Sequence, residues 1–179
     1  MEKLLLSDVR PKYRHHINEG VCIDRFIRFF EGRYQLDFDV YLESKGMNLQ
    51  RELCWTLLQK QQLILSMLRG IQIPKFVFVE ENISEKERIF KVIDGKQRFH
   101  AIFEFMRNEF SIEVNGQEYF YADLDKSAQQ EIAWTNPKID VHYSYWNDKI
   151  SDDTLIDLFE QINFLGTPQD VEHLNKLKQ

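Results

Sequence analysis

Apolar and polar positions change period several times along the chain, and each change marks an element. After an opening through Pro11 and KYRHHINEG that reads as irregular, VCIDRFIRFFEGR places Cys22, Phe26, Phe29 and Phe30 at helical spacing. YQLDFDVYL alternates from Tyr34 to Leu42 like a half-buried strand, with Leu36, Phe38 and Val40 on one side, and Lys45-Gly46 turns the chain. Thr56 with Gln59 resembles a capping box. Leu57, Leu58, Gln61, Leu63, Ile64, Met67 and Leu68 continue from it as a helix that Gly70 can end.

KFVFVE predicts a buried strand, ENISEKER a loop, and IFKVI a second strand ending at Asp94. A helix follows at once, with Phe99, Ile102, Phe103 and Met106 as an aromatic-rich stripe against the sheet. Asn115-Gly116 separates two alternating runs and suits the left-handed dihedrals of a two-residue hairpin turn. DKSAQQEIAW predicts a short helix, IDVHYSYW a strand and DTLIDLFEQINF a helix with Asp152 or Asp153 near its start. PQDVEHLNKL predicts a terminal helix begun by Pro168. No repeat interrupts this order. The mixture, with its hairpin, indicates an α+β domain rather than a doubly wound sheet.

At 179 residues, with 43% apolar and 13% aromatic positions, the chain suits one domain with a real core, residues 1–20 forming an extension to it. Cys22 and Cys54 are isolated, which argues against a disulfide framework or a zinc site and suits a reducing cytoplasm. No apolar run approaches the about 18 residues of a membrane span. The net charge of −6 disfavours a general DNA coat. Charge is uneven, however: residues 49–75 carry Arg51, Lys60, Arg69 and Lys75 against Glu52, whereas residues 148–172 carry seven acids against Lys149.

The chemistry concentrates where VIDGKQRFHAIFEF passes from strand to helix. A turn needs little more than Asp94 and Gly95, yet Lys96, Gln97 and Arg98 crowd the same junction. A glycine that lets backbone approach a ligand, followed by the unpaired N–H groups of a helix start, attracts anions. Arg98 would add a forked donor and Lys96 a point charge, while Asp94 can hold magnesium or orient a water. The alternative is an Asp-Gly turn with Arg98 in a surface ion pair. Arg51 can meet the same anion, and Trp55 can stack on a ligand but more often plugs a core. Asn163, Gly166 and Thr167 either cap the last helix or touch a ligand. His15, His16 and His100 lack the neighbours of a metal or catalytic histidine.

Three stretches in order, LQRELCWTLLQKQQLILSMLRGIQIP, VIDGKQRFHAI and LFEQINFLGTP, resemble the GmrSD-type restriction N-terminal domain, a ParB/sulfiredoxin-like family. Its Asp-Gly-x-Gln-Arg hallmark stands at Asp94, Gly95, Lys96, Gln97 and Arg98. The upstream Gln-Arg and Trp stand at Gln50, Arg51 and Trp55, and Asn-x-x-Gly-Thr-Pro at Asn163, Gly166, Thr167 and Pro168.

The resemblance implies a small mixed sheet with packed helices that binds a nucleoside triphosphate. Slow hydrolysis with Mg2+ would centre on Asp94, Gln97 and Arg98, with Arg51, Gly95, Lys96, Asn163 and Thr167 holding the nucleotide and Asp94 the metal. Prokaryotic restriction or phage defence is the implied setting. Lys96 departs from the glutamine frequent there, and the sequence ends soon after the Gly-Thr-Pro helix, before the His-rich nuclease region of restriction members. DNA cleavage is therefore not expected of this polypeptide alone. The rival expectation is a regulatory adaptor that binds a nuclease partner, or DNA through residues 49–75.

Overall fold

Phe76, Val77, Phe78 and Val79 are apolar without a break because both faces of their strand are covered. In the computed structural model, which describes residues 13–18, 23, 35–83, 88–144 and 149–164, this strand is the centre of a five-stranded mixed sheet. Its order is β1 (Tyr13–Asn18), β9 (Ile139–Ser144), β5 (Phe76–Asn82), β6 (Arg88–Asp94) and β2 (Gln35–Asp37). β5 runs antiparallel to β6 and parallel to β9, β1 pairs antiparallel with β9, and β2 lies parallel to β6. The small hairpins β3 (Tyr41–Leu42) with β4 (Met47–Asn48) and β7 (Ile112–Val114) with β8 (Gln117–Tyr119) stand apart from it.

Helices α1 (Leu57–Leu68), α2 (Lys96–Met106) and α3 (Lys126–Trp134) share one core with Phe76, Phe78, Phe90 and Val92. Helix α4 (Asp152–Phe164) covers the other face through Leu155, Ile156, Leu158 and Phe159, against Val77, Val79 and Ile93. The α+β class is thus as the sequence indicates.

Local signals act at their own positions in the chain. Thr56 accepts from the Gln59 N–H, and the Gln59 side chain returns the bond to the Thr56 N–H. Gly70, at φ 68°, donates to Met67 O while Ile71 donates to Ser66 O, which closes α1 with a Schellman motif. Asn115 and Gly116 take φ of 54° and 78° in the β7–β8 turn.

Two expectations are corrected. The opening is not irregular throughout, because the backbone of Tyr13–Asn18 pairs along the open edge of β9, a tertiary partner that local pattern does not announce. The alternation from Tyr34 to Leu42 is not one strand. Asp37 Oδ1 accepts the N–H groups of Asp39 and Val40, and Val40 sits at φ 51°, so the chain turns there. Leu36 and Phe38 then join the first core and Val40 the second. Beyond the turn, Asp152 accepts the Ser44 N–H at 2.8 Å and ties the β3–β4 hairpin to α4. Burial alone would raise the Asp152 carboxyl, but the Ser44 bonds and the charges of Lys149 and Lys91 hold it below its ordinary value.

Of the expected helix around Cys22 to Phe30, Ile23 alone is described; it is helical, buried, and donates to Thr135 O. The expected terminal helix lies outside the described residues.

Candidate functional site

Strand β6 hands the chain to α2 through Gly95, the N-cap, at φ 114°. A Cβ built there would stand 2.2 Å from Phe76 Cδ1, so both the dihedral and the neighbouring ring demand glycine. Glycine offers no side-chain cap, and among the described residues no side-chain acceptor meets the N–H groups of the first turn. Such donors, with the positive end of the helix dipole, are the chemistry that suits an anion.

Two glutamines fix the segment above this junction. Gln97 Oε1 accepts the N–H groups of Cys54 (3.0 Å) and Trp55 (3.2 Å), and its amide donates to Glu52 O at 2.9 Å. Gln50, buried, donates to Val92 O at 2.9 Å and to Ile93 O, at the end of β6. Residues 50–55, which have no helix or strand of their own, are thereby held against the helix start.

The cations differ in what they already hold. Arg98 is buried; Nη1 donates to Pro74 O and to Lys75 O (3.1 Å), and Nη2 to Asp94 Oδ2 at 2.7 Å. Its guanidinium carbon lies 5.1 Å from the Phe76 ring centre, so this side chain locks the β5 entry to the β6–α2 junction. Lys96, also buried, ends on Asp39 Oδ1 at 2.8 Å. Arg51, half-buried, makes no hydrogen bond or ion pair with the described residues.

Gln50, Arg51 and Trp55 close over Asp94, Gly95, Lys96, Gln97 and Arg98 around a cavity of about 110 Å³. That is the scale of a phosphate group, whereas whole small-molecule ligands occupy roughly 300 Å³ or more. Larger cavities of about 440 and 630 Å³ lie beside the end of α1 and α3, but neither gathers a comparable set of cations and helix-end donors. Chemistry rather than size singles out the junction.

Asn163 is not among the lining residues; its Nδ2 donates to Phe159 O within α4 at 2.7 Å. Thr167, like Gly166 and Pro168, lies outside the described residues. Trp55 packs against the first core, as the commoner role of its residue type has it, and also lines the cavity.

Asp94 is the one carboxylate of the lining, with one oxygen on Arg98, and no group of three or more metal-ligating side chains occurs among the described residues. A magnesium ion fits only if phosphate oxygens and waters complete its shell, which is how magnesium commonly enters such sites. The His100 ring lies tilted against Phe38, with ring centres 4.8 Å apart, outside the cavity lining. Burial first, with Lys96 and Lys60 adding to it, pushes its pKa below the ordinary value despite Glu104 and Asp39. Phe76 and Asp39 shape the site without any signal in the sequence, and Gln50 shapes it from the Gln-Arg motif without a role that the motif assigns. Gln50 beside Arg51 carried the nearest thing to a signal.

A strand–glycine–helix junction under a glutamine-tied segment, on a mixed α+β sheet, defines a domain with one small polar pocket at the end of β6. The family model described as GmrSD restriction endonuclease, N-terminal domain, matches residues 48–177, and the chain belongs to this family. Membership puts the protein in the context of DNA restriction systems. No curated protein and no solved structure was found to match it.

Proposed function

We propose that the junction binds the phosphate chain of a nucleoside triphosphate and supports slow hydrolysis with Mg2+. The observation that carries this is the uncapped start of α2 sharing one phosphate-sized cavity with Arg51, a cation that has no partner among the described residues. Arg51 is the phosphate clamp. Arg98 acts at one remove by holding Asp94, whose other oxygen takes the magnesium that arrives with the nucleotide. Gln97 keeps residues 52–55 over the site, and the nucleoside lies outside the cavity. Catalysis is positioning plus charge stabilisation.

The test is phosphate release from ATP, GTP, CTP and UTP with Mg2+, with Arg51→Ala alongside. Turnover that disappears in the variant supports the proposal; equal turnover in both removes it.

A second function, a non-catalytic adaptor for a nuclease partner, draws on Leu53, Leu57 and Leu58, which are 45, 54 and 64% exposed where residues 50–55 lead into α1. Nucleotide binding without turnover would favour it. DNA docking through residues 49–75 has less support, because Lys60 pairs with Glu104 and Lys75 with Asp140.

A further inference from the structure

The Lys96–Asp39 pair is unequal: the Lys96 side chain is 5% exposed and the Asp39 side chain 62%. A buried ammonium needs an anion beside it, because an unpaired charge away from water is costly. The carboxylate has no such need. It is already largely hydrated, so releasing it exposes little that water does not already reach.

Asp39 is nonetheless held in place for the contact. Its N–H bonds to Asp37 Oδ1, its carbonyl accepts the Gln50 N–H at 3.3 Å, and Val40 beside it takes the φ of 51° that a β-branched residue rarely adopts. The same Gln50 lines the phosphate-sized cavity, as does Lys96. Asp39 itself precedes the family-matched segment, which begins at residue 48.

We propose that Asp39 is an exchangeable internal counter-ion, a positioning residue that holds Lys96 in place until a phosphate oxygen takes over the ammonium. The inference rests on the phosphate-binding function proposed above. Asp39 competes with the ligand for Lys96, and its own charge opposes an incoming anion. Both effects have one sign, so removing the carboxylate tightens anion binding.

The experiment is calorimetric titration of the full chain with inorganic tripolyphosphate, for the unmodified protein, Asp39→Asn, Lys96→Met and the double variant, with thermal melts alongside. Asp39→Asn should bind about tenfold more tightly, the scale of one partly screened charge interaction, and most of that gain should vanish in the Lys96→Met background. Equal or weaker binding by a folded Asp39→Asn overturns the inference while leaving the phosphate site standing. No binding by either protein overturns the phosphate site as well.

A readout on the unmodified chain covers the case in which the variants do not fold. The Asp39 carboxyl-carbon resonance should move to that of a free carboxylate as tripolyphosphate saturates the site. Saturation with that resonance unmoved refutes the exchange.

Discussion

Gly95 lies against the ring of Phe76 so closely that a Cβ on the glycine would overlap Cδ1 at 2.2 Å. Phe76 is fully buried at the start of β5 and cannot retreat without disturbing the core it shares with Phe78 and Phe99. Gly95→Ala should therefore lower stability by roughly 3 kcal/mol or more, from the left-handed φ and the overlap together. Urea unfolding measures it, and a loss under about 1 kcal/mol would mean the ring has room to move.

Gln97 satisfies three backbone groups of residues 52–55 at once. Gln97→Ala should cost about 1–3 kcal/mol and raise amide exchange at Cys54 and Trp55 more than in α1. Gln97→Glu keeps the acceptor but sets a carboxylate against Glu52 O, so it should recover only part of the loss. Hydrogen exchange distinguishes the two, and unchanged exchange in both would separate Gln97 from the ordering of this segment.

The two arginines should behave differently. Arg51→Ala removes a guanidinium without a described partner, so its melting temperature should stay within about 2 °C of the parent while phosphate binding falls tenfold or more. Arg98→Ala strips two carbonyls and Asp94 of their partner and should cost roughly 2–4 kcal/mol. Lost turnover in Arg98→Ala would then reflect folding as much as chemistry, and a melt identical to the parent would contradict the role assigned to its bonds.

His100 has a folded-state pKa below its ordinary 6.5, chiefly through burial. Above that value neither state takes the proton. As pH falls below about 6.5 the unfolded chain binds a proton that the folded chain resists, so stability declines until the folded-state pKa is passed. Unfolding free energies at about pH 7 and about pH 5.5 should diverge more for the parent than for His100→Gln. Equal differences would exclude His100 as the source.

What could be read from sequence follows the range of the interactions. The Thr56–Gln59 capping box, the Gly70 stop and the Asn115-Gly116 turn each act within a few residues, and each is where the sequence puts it. The β6–Gly95–α2 junction was legible for the same reason. The Val40 turn was not, because Asp37, Leu49 and Gln50 fix it together, and an alternating pattern looks alike whether or not the chain bends. The Tyr13–Asn18 strand depends on an edge over a hundred residues away. At the site, residue types pointed to Asp94–Arg98 and Arg51, which line one cavity, but also to Asn163, which does not line it, and they did not show which cations were engaged. That Arg98 serves the backbone depends on Pro74 and Lys75 carbonyls that no motif encodes, and Arg51 meets no partner among the described residues.

The flanking strands also bear on how this domain can be produced. β1 and β2 both precede residue 48 and cover the outer sides of β9 and β6. A fragment trimmed to the family boundary would leave two rows of backbone donors and acceptors bare, ready to join those of another molecule. Such a fragment should self-associate and precipitate on expression, so cloning boundaries that retain residues 13–47 are the practical choice for a monodisperse preparation.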